Sequence, residues 1–271
     1  MAEHVDHVSL SYPSDPSYGS GACRRRVRLA GSQGRVVAVL SDTFHELRCT
    51  IRHDGYRVTA VKGEAIRIPT SVCPAAVGMI QELVGTPIDA PGSHFYEHGR
   101  ARRHCTHLFD LAVMAIGHGR RGKVTRTYEA VVPDETDRPV RVEVRRDDEL
   151  VHCWWVRRGR VVKPANLADR PLGKGFAAWA TLDFQGDALE AAILLSRTWL
   201  IAVGRRYRTE SFPGHIIARN VEMIGACYAY APGRAHYATF NSGHVRDFTT
   251  AVYESGPPPR TIPDAVPRTD D

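Results

Sequence analysis

Apolar and polar residues alternate with a period of two over much of residues 24–68, and this predicts strands. Residues 24–29 and 35–40 read as two short strands around the turn Ala30-Gly31-Ser32-Gln33-Gly34. Residues 44–52 read as a third. His53-Asp54-Gly55 then predicts a hairpin turn, because Asp-Gly readily adopts positive φ, and residues 56–68 return as the next strand. Helical spacing follows. Residues 73–84 predict a helix with Pro74 in its first turn, where a missing N–H costs nothing. Residues 104–117 predict a second, with Leu108, Leu111, Ala112, Ala115 and Ile116 on one face. The pattern then restarts. Strands are expected over 123–132 and 140–144, a turn at Asp147-Asp148, a hairpin of 150–156 and 160–163 around Arg158-Gly159, and a helix over 187–203.

Residues 47–58 and 151–162 align by eye, each a strand, a basic turn with glycine and a returning strand. This predicts a duplicated strand–strand–strand–helix–helix unit. The expected fold class is α+β, a tandem of two small units over 23–122 and 123–254. Each would be an antiparallel three-stranded sheet with helices packed on one face. Residues 1–22, rich in Ser, Pro, Gly and His, and the Pro-rich residues 255–271 are expected to be disordered tails.

Composition narrows the function. No apolar run approaches the ~20 residues of a membrane span, and the polar start MAEHVDHVSLSYPSD lacks the apolar core of a secretory signal. A cytoplasmic location and no membrane partner are expected. The formal charge of +6 invites a nucleic-acid reading. Only Lys62, Lys123, Lys163 and Lys174 are lysines, however, and the arginines alternate with apolar residues as in Arg141-Val142-Glu143-Val144-Arg145. That is a strand with one wet face, so no nucleic-acid partner is expected and a small-molecule substrate is.

The most specific chemistry is a Cys/His set: His45, Cys73 before Pro74, and Cys105-Thr106-His107. The six cysteines are far apart, and a cytosolic chain keeps them reduced, so a disulfide framework is not expected. Helix starts at Cys73 and Cys105 favour a thiolate, and thiolate with imidazole suits zinc or iron. Four ligands, His45, Cys73, Cys105 and His107, would close a tetrahedral site. Three would leave a position for water or substrate. The same residues also read as a thiolate–imidazole pair for nucleophilic catalysis, or as buried cysteines with a helix-capping histidine. Glu46 and Asp42 are the nearest acid–base candidates. The aromatic run around Tyr228 and Tyr230 reads either as the wall of a pocket for a planar substrate or as strand packing.

Residues 42–116 resemble a bacterial family known only as a domain of unknown function, on Asp42, His45-Glu46-Leu47, Asp54-Gly55, Pro69 with Cys73-Pro74, Leu83-Val84-Gly85 and His104-Cys105-Thr106-His107-Leu108. The family's box begins Gly-Cys-Thr-His-Leu, where this chain has His104, and its segment before the histidine is longer. More distantly, His104-Cys105 opening Leu111-Ala112-x-x-Ala115-Ile116 is similar to the U-type iron–sulfur scaffold proteins. That resemblance implies one metal held by His45, Cys73 and Cys105 with His104 or His107 supplying nitrogen. The expected function is a metal-dependent enzyme of hydrolase or lyase type with one divalent ion, zinc or iron. The alternative is a non-catalytic metal, iron–sulfur or sulfur carrier; a structural zinc is a third reading.

Overall fold

Strand β1 (Ala22–Ser32) has a neighbour on each side, and that arrangement overturns the expected tandem. The structure is a computed structural model and describes residues 12–211 and 213–251. On one side β1 pairs with β2 (Arg35–Ser41), followed outward by β3 (Glu46–His53) and β4 (Val58–Arg67). On the other it pairs with β5 (Thr125–Pro133), followed by β6 (Val140–Arg146), β7 (Glu149–Arg157) and β8 (Arg160–Lys163). All pairs are antiparallel, and the result is one eight-stranded sheet in the order β4-β3-β2-β1-β5-β6-β7-β8. Among the described residues there are no two three-stranded sheets and no pair of U-type scaffold-like units. The physical reason is that alternation reports which face of a strand is wet and says nothing about which strand satisfies each edge. The seam from Ala22↔Pro133 to Ala30↔Thr125 is a contact between distant parts of the chain.

The individual elements lie close to their predicted places. A 3₁₀ helix spans Cys73–Leu83 with Pro74 at its start. A short helix α1 (Gly92–Tyr96) precedes α2 (Thr106–Gly119), and α3 (Phe176–Asp183) precedes α4 (Gly186–Gly204). Helix α2 packs on β1–β3 and α4 on β1 and β5–β7. Both bury the strand positions that alternation marks as apolar, such as Val27, Leu29, Ala38, Leu40, Leu47, Ala130 and Val142. Gly63 of β4 lets the helices close on the sheet: a Cβ there would sit 2.9 Å from both Ile80 and Leu108. The opposite sheet face is wet, with Glu129, Glu64 and Glu143 each set between two basic side chains. No described helix is long and apolar enough to cross a membrane.

A second apolar cluster, Tyr12, Ile217, Ala229, Ala235, Ala238 and Phe240, gathers the C-terminal segment. It is tied to the end of β4 by backbone bonds from Ser71 to Thr239 and from Asn241 to Pro69. Tyr12, placed in an expected tail, packs edge-on against Phe240. Residues 1–11 and the whole of the expected tail 255–271 lie outside the described residues.

Candidate functional site

The alternation of β1 contains one exception. Cys23, Val27 and Leu29 face the helices, and Arg25 faces the same way at 1% exposure. Its partner is set by register: Arg26 lies opposite Ser41, so Asp42, the next residue, meets Arg25. The Arg25 Nη2 donates to Asp42 Oδ2 at 2.6 Å, and neither side chain is exposed.

Asp42 also builds the loop between β2 and β3. Its Oδ1 accepts the N–H groups of Phe44 and His45, each at 2.9 Å, the short-range bonding that makes Asp a turn former. This tight turn brings His45 Nδ1 to 3.0 Å from the same oxygen. Arg67, at the end of β4, holds the loop from behind: its guanidinium donates to the carbonyls of Asp42, Thr43, His45 and His244.

The second imidazole comes from the first turn of α2. The His107 ring lies 4.3 Å from that of His45, centroid to centroid, and its Nδ1 is 3.3 Å from Arg25 Nη2. Arginine has only donors, so His107 Nδ1 accepts and its proton sits on Nε2. The carboxylate of Asp42 imposes the opposite arrangement on His45: Nδ1–H donates, and the uncharged form of the ring carries its lone pair on Nε2. Burial, then His45 and Arg25, hold the His107 imidazole well below its usual pKa, so it stays neutral. Burial works to raise the Asp42 carboxyl, but Arg25 and His45 outweigh it, and it is held well below the usual carboxylate range. His45 is 6% exposed and His107 is partly exposed, which leaves the imidazoles as the reachable side of an otherwise buried cluster.

Cys73, Cys105 and Cys227 lie near one another. Cys73 Sγ lies 3.0 Å from Thr70 Oγ1. Burial pushes the Cys73 thiol up to about 11, and burial with the neighbouring Cys73 and Cys227 pushes Cys105 higher still. The expected thiolates at helix starts are therefore neutral thiols, because desolvation outweighs the partial charge of a helix end. The Cys105 thiol accepts the backbone N–H groups of His107 and Leu108, and no hydrogen bond joins either thiol to the imidazole rings of His45 or His107 among the described residues. Nor is any group of three or more His, Cys, Asp or Glu side chains among them arranged to hold a metal ion. In this arrangement the Arg25 contact leaves neutral His107 with its lone pair on Nδ1 and its proton on Nε2.

The remaining candidates lie elsewhere. His104 is fully buried, with Nε2 at 2.9 Å from Glu82 Oε1 and its ring against Phe109. Glu46 lies opposite Arg67, on the other face of β3 from Leu47. Tyr228 carries the Arg234 guanidinium 3.7 Å above its ring, while Tyr230 packs against the second apolar cluster. The segment around them is turns and a short helix, Pro232–Ala235, and contains no strand. Arg25 was missed, although a visible signal marks it: it is the one charged residue in the apolar register of β1. Asp110 and Arg197, paired at 2.7 Å across α2 and α4, carried no local signal.

A domain described as a protein of unknown function (DUF2889) is found at residues 28–117. It contains Asp42, His45 and His107 and stops short of Arg25. No curated protein matches the chain.

Proposed function

We propose that this protein is an enzyme of lyase or hydrolase type acting on a small organic substrate by acid–base chemistry between His45 and His107. The observation that supports this reading is the pair of opposed tautomers. Asp42 turns the His45 lone pair outward on Nε2, and Arg25 turns the His107 proton outward on Nε2. His45 takes a proton from water or from a carbon beside a carbonyl, and Asp42 stabilises the imidazolium that results. His107 stays neutral and donates its Nε2–H to the oxygen on which negative charge develops. His45 then returns its proton to the product. Asp42 and Arg25 are positioning residues, and no step requires a bound metal.

The test is turnover of a panel of small esters, β-hydroxy acids and β-keto acids. Wild type and His45→Gln are compared, before and after chelator treatment. Loss of the histidine lowers the rate by about 10²–10⁴, the usual contribution of a positioned base. A His45→Gln protein as fast as wild type sinks the reading. So does activity abolished by the chelator and restored by added metal.

A further inference from the structure

We infer that Arg197 is the anion anchor of this site, and that the substrate carries a carboxylate beside the atoms on which His45 and His107 act. The inference rests on the acid–base reading for its second half only. It starts from helical geometry. His107 and Asp110 are three residues apart in α2, so they are neighbours on one face of its first turns. Asp110 is buried, and both of its oxygens are occupied. Oδ2 accepts Arg197 Nε at 2.7 Å, and Oδ1 accepts the Tyr96 hydroxyl at 2.9 Å. The guanidinium of Arg197 is thereby held in place about one helical turn from His107, and its charge helps to keep His107 neutral.

Only Nε of Arg197 is used in this way. The two terminal nitrogens have no hydrogen-bond partner among the described residues, and the side chain retains 27% of its exposure. The arrangement differs from Arg25, whose terminal nitrogen is spent on Asp42 and His107, and from Arg67, whose two terminal nitrogens bond to four carbonyls. A planar fork held at its base and open at its tip matches the two oxygens of a carboxylate. The Tyr96 phenol supports the arrangement. Burial, then Asp110, raises it well above its usual pKa, so it remains a donor and does not compete for the arginine. A bound carboxylate would lie between the anchor and the imidazoles, with the bond to be broken toward His45.

The experiment is an NMR titration of the full chain with sodium acetate, with acetamide as the neutral probe and inorganic phosphate as the other oxyanion. The ¹⁵N signals of His107 are the readout. Acetate is expected to shift them saturably in wild type and in His45→Gln, and acetamide is expected to leave them in place. Arg197→Gln, which keeps an amide partner for Asp110, is expected to weaken acetate by about tenfold or more. Arg197→Lys, with the charge but no fork, should lie between. Wild-type acetate affinity in Arg197→Gln overturns the anchor, as does an unmoved His107 signal in wild type. Tighter binding of phosphate than of acetate overturns the carboxylate assignment. If Arg197→Gln fails to fold, Arg197→Lys decides: undiminished acetate affinity there removes the fork from the argument. The two readings fail separately. Full turnover in His45→Gln with acetate binding intact removes the chemistry and leaves an anion site.

Discussion

Two corners of the sheet, at opposite ends of the β1–β5 seam, each set an arginine of a middle strand against a buried or half-buried acid. At one, Arg25 of β1 meets Asp42, and the loop of residues 42–45 folds His45 onto the same carboxylate. At the other, Arg126 of β5 meets Asp187 at 2.7 Å, and Arg146 and Arg121 add two more guanidinium groups to it. There the connection between β6 and β7 is the tight turn Asp147-Asp148, both residues at positive φ, and it adds a further acid and no imidazole: the Asp147 carboxylate accepts the Thr127 N–H at 2.7 Å and lies 4.0 Å from Arg126. His118, which feels the charges of Arg121, Arg126 and Asp147, donates instead to the Val124 carbonyl. The same ingredients, a strand arginine and an acid, make a saturated ion cluster in one place and an acid–imidazole site in the other. Loop length and the residue at the start of the helix decide which.

The comparison breaks most sharply on stability. Asp42→Ala leaves a buried guanidinium without its partner and is expected to cost about 3–5 kcal/mol in urea unfolding. Asp187→Ala, at a corner 31% exposed to water, is expected to cost about 1 kcal/mol. Equal losses would remove the distinction.

A smaller effect lies in the pH dependence. His107 titrates lower in the folded than in the unfolded chain, as do His104, His118, His152 and His244, each lowered first by burial. The unfolded chain therefore binds more protons below about pH 6.5, and stability, full above that value, falls as pH falls. The slope per histidine is up to about 1.4 kcal/mol per pH unit. His107→Gln should flatten the loss in thermal midpoint between about pH 7.5 and pH 5.5, whereas Asp187→Asn should leave that window unchanged and act only near or below about pH 4. An unaltered slope in His107→Gln would show that its ring does not stay neutral in the fold.

The finest test is spectroscopic. Long-range ¹H–¹⁵N spectra should show the Nδ1–H form for His45 and the Nε2–H form for His107. Arg25→Met should release His107 into a mixture of tautomers. Cys105→Ser should leave both tautomers unchanged, since the thiol meets the backbone of His107 and neither ring; a changed tautomer at either imidazole would tie the thiol to the acid–imidazole cluster.

Much of the local structure was legible. The Asp54-Gly55 hairpin, the strands on either side of it and helix α2 follow from turn chemistry and periodicity, which act over a few residues. His45 and His107 were recognisable as a pair of interest by type and by their place at element ends. Their partners were not. Spacing sets Cys73 and Cys105 at the ends of elements beside them and suggests a metal centre; it does not reveal that burial holds both thiols protonated. Arg25 could have been found by asking why a charge interrupts an apolar register.

Sequence by itself determined the elements, the wet and dry faces of each strand, and the turn-forming role of Asp42, because these are properties of neighbours along the chain. Tertiary structure decided that β1 joins the two halves in one sheet and that Arg25 lies opposite Asp42. It also decided that His107 carries its outward proton on Nε2 and that burial keeps the cysteines protonated. Each of these depends on what a strand edge or a polar atom meets across the fold, where desolvation and long-range pairing outweigh local preference.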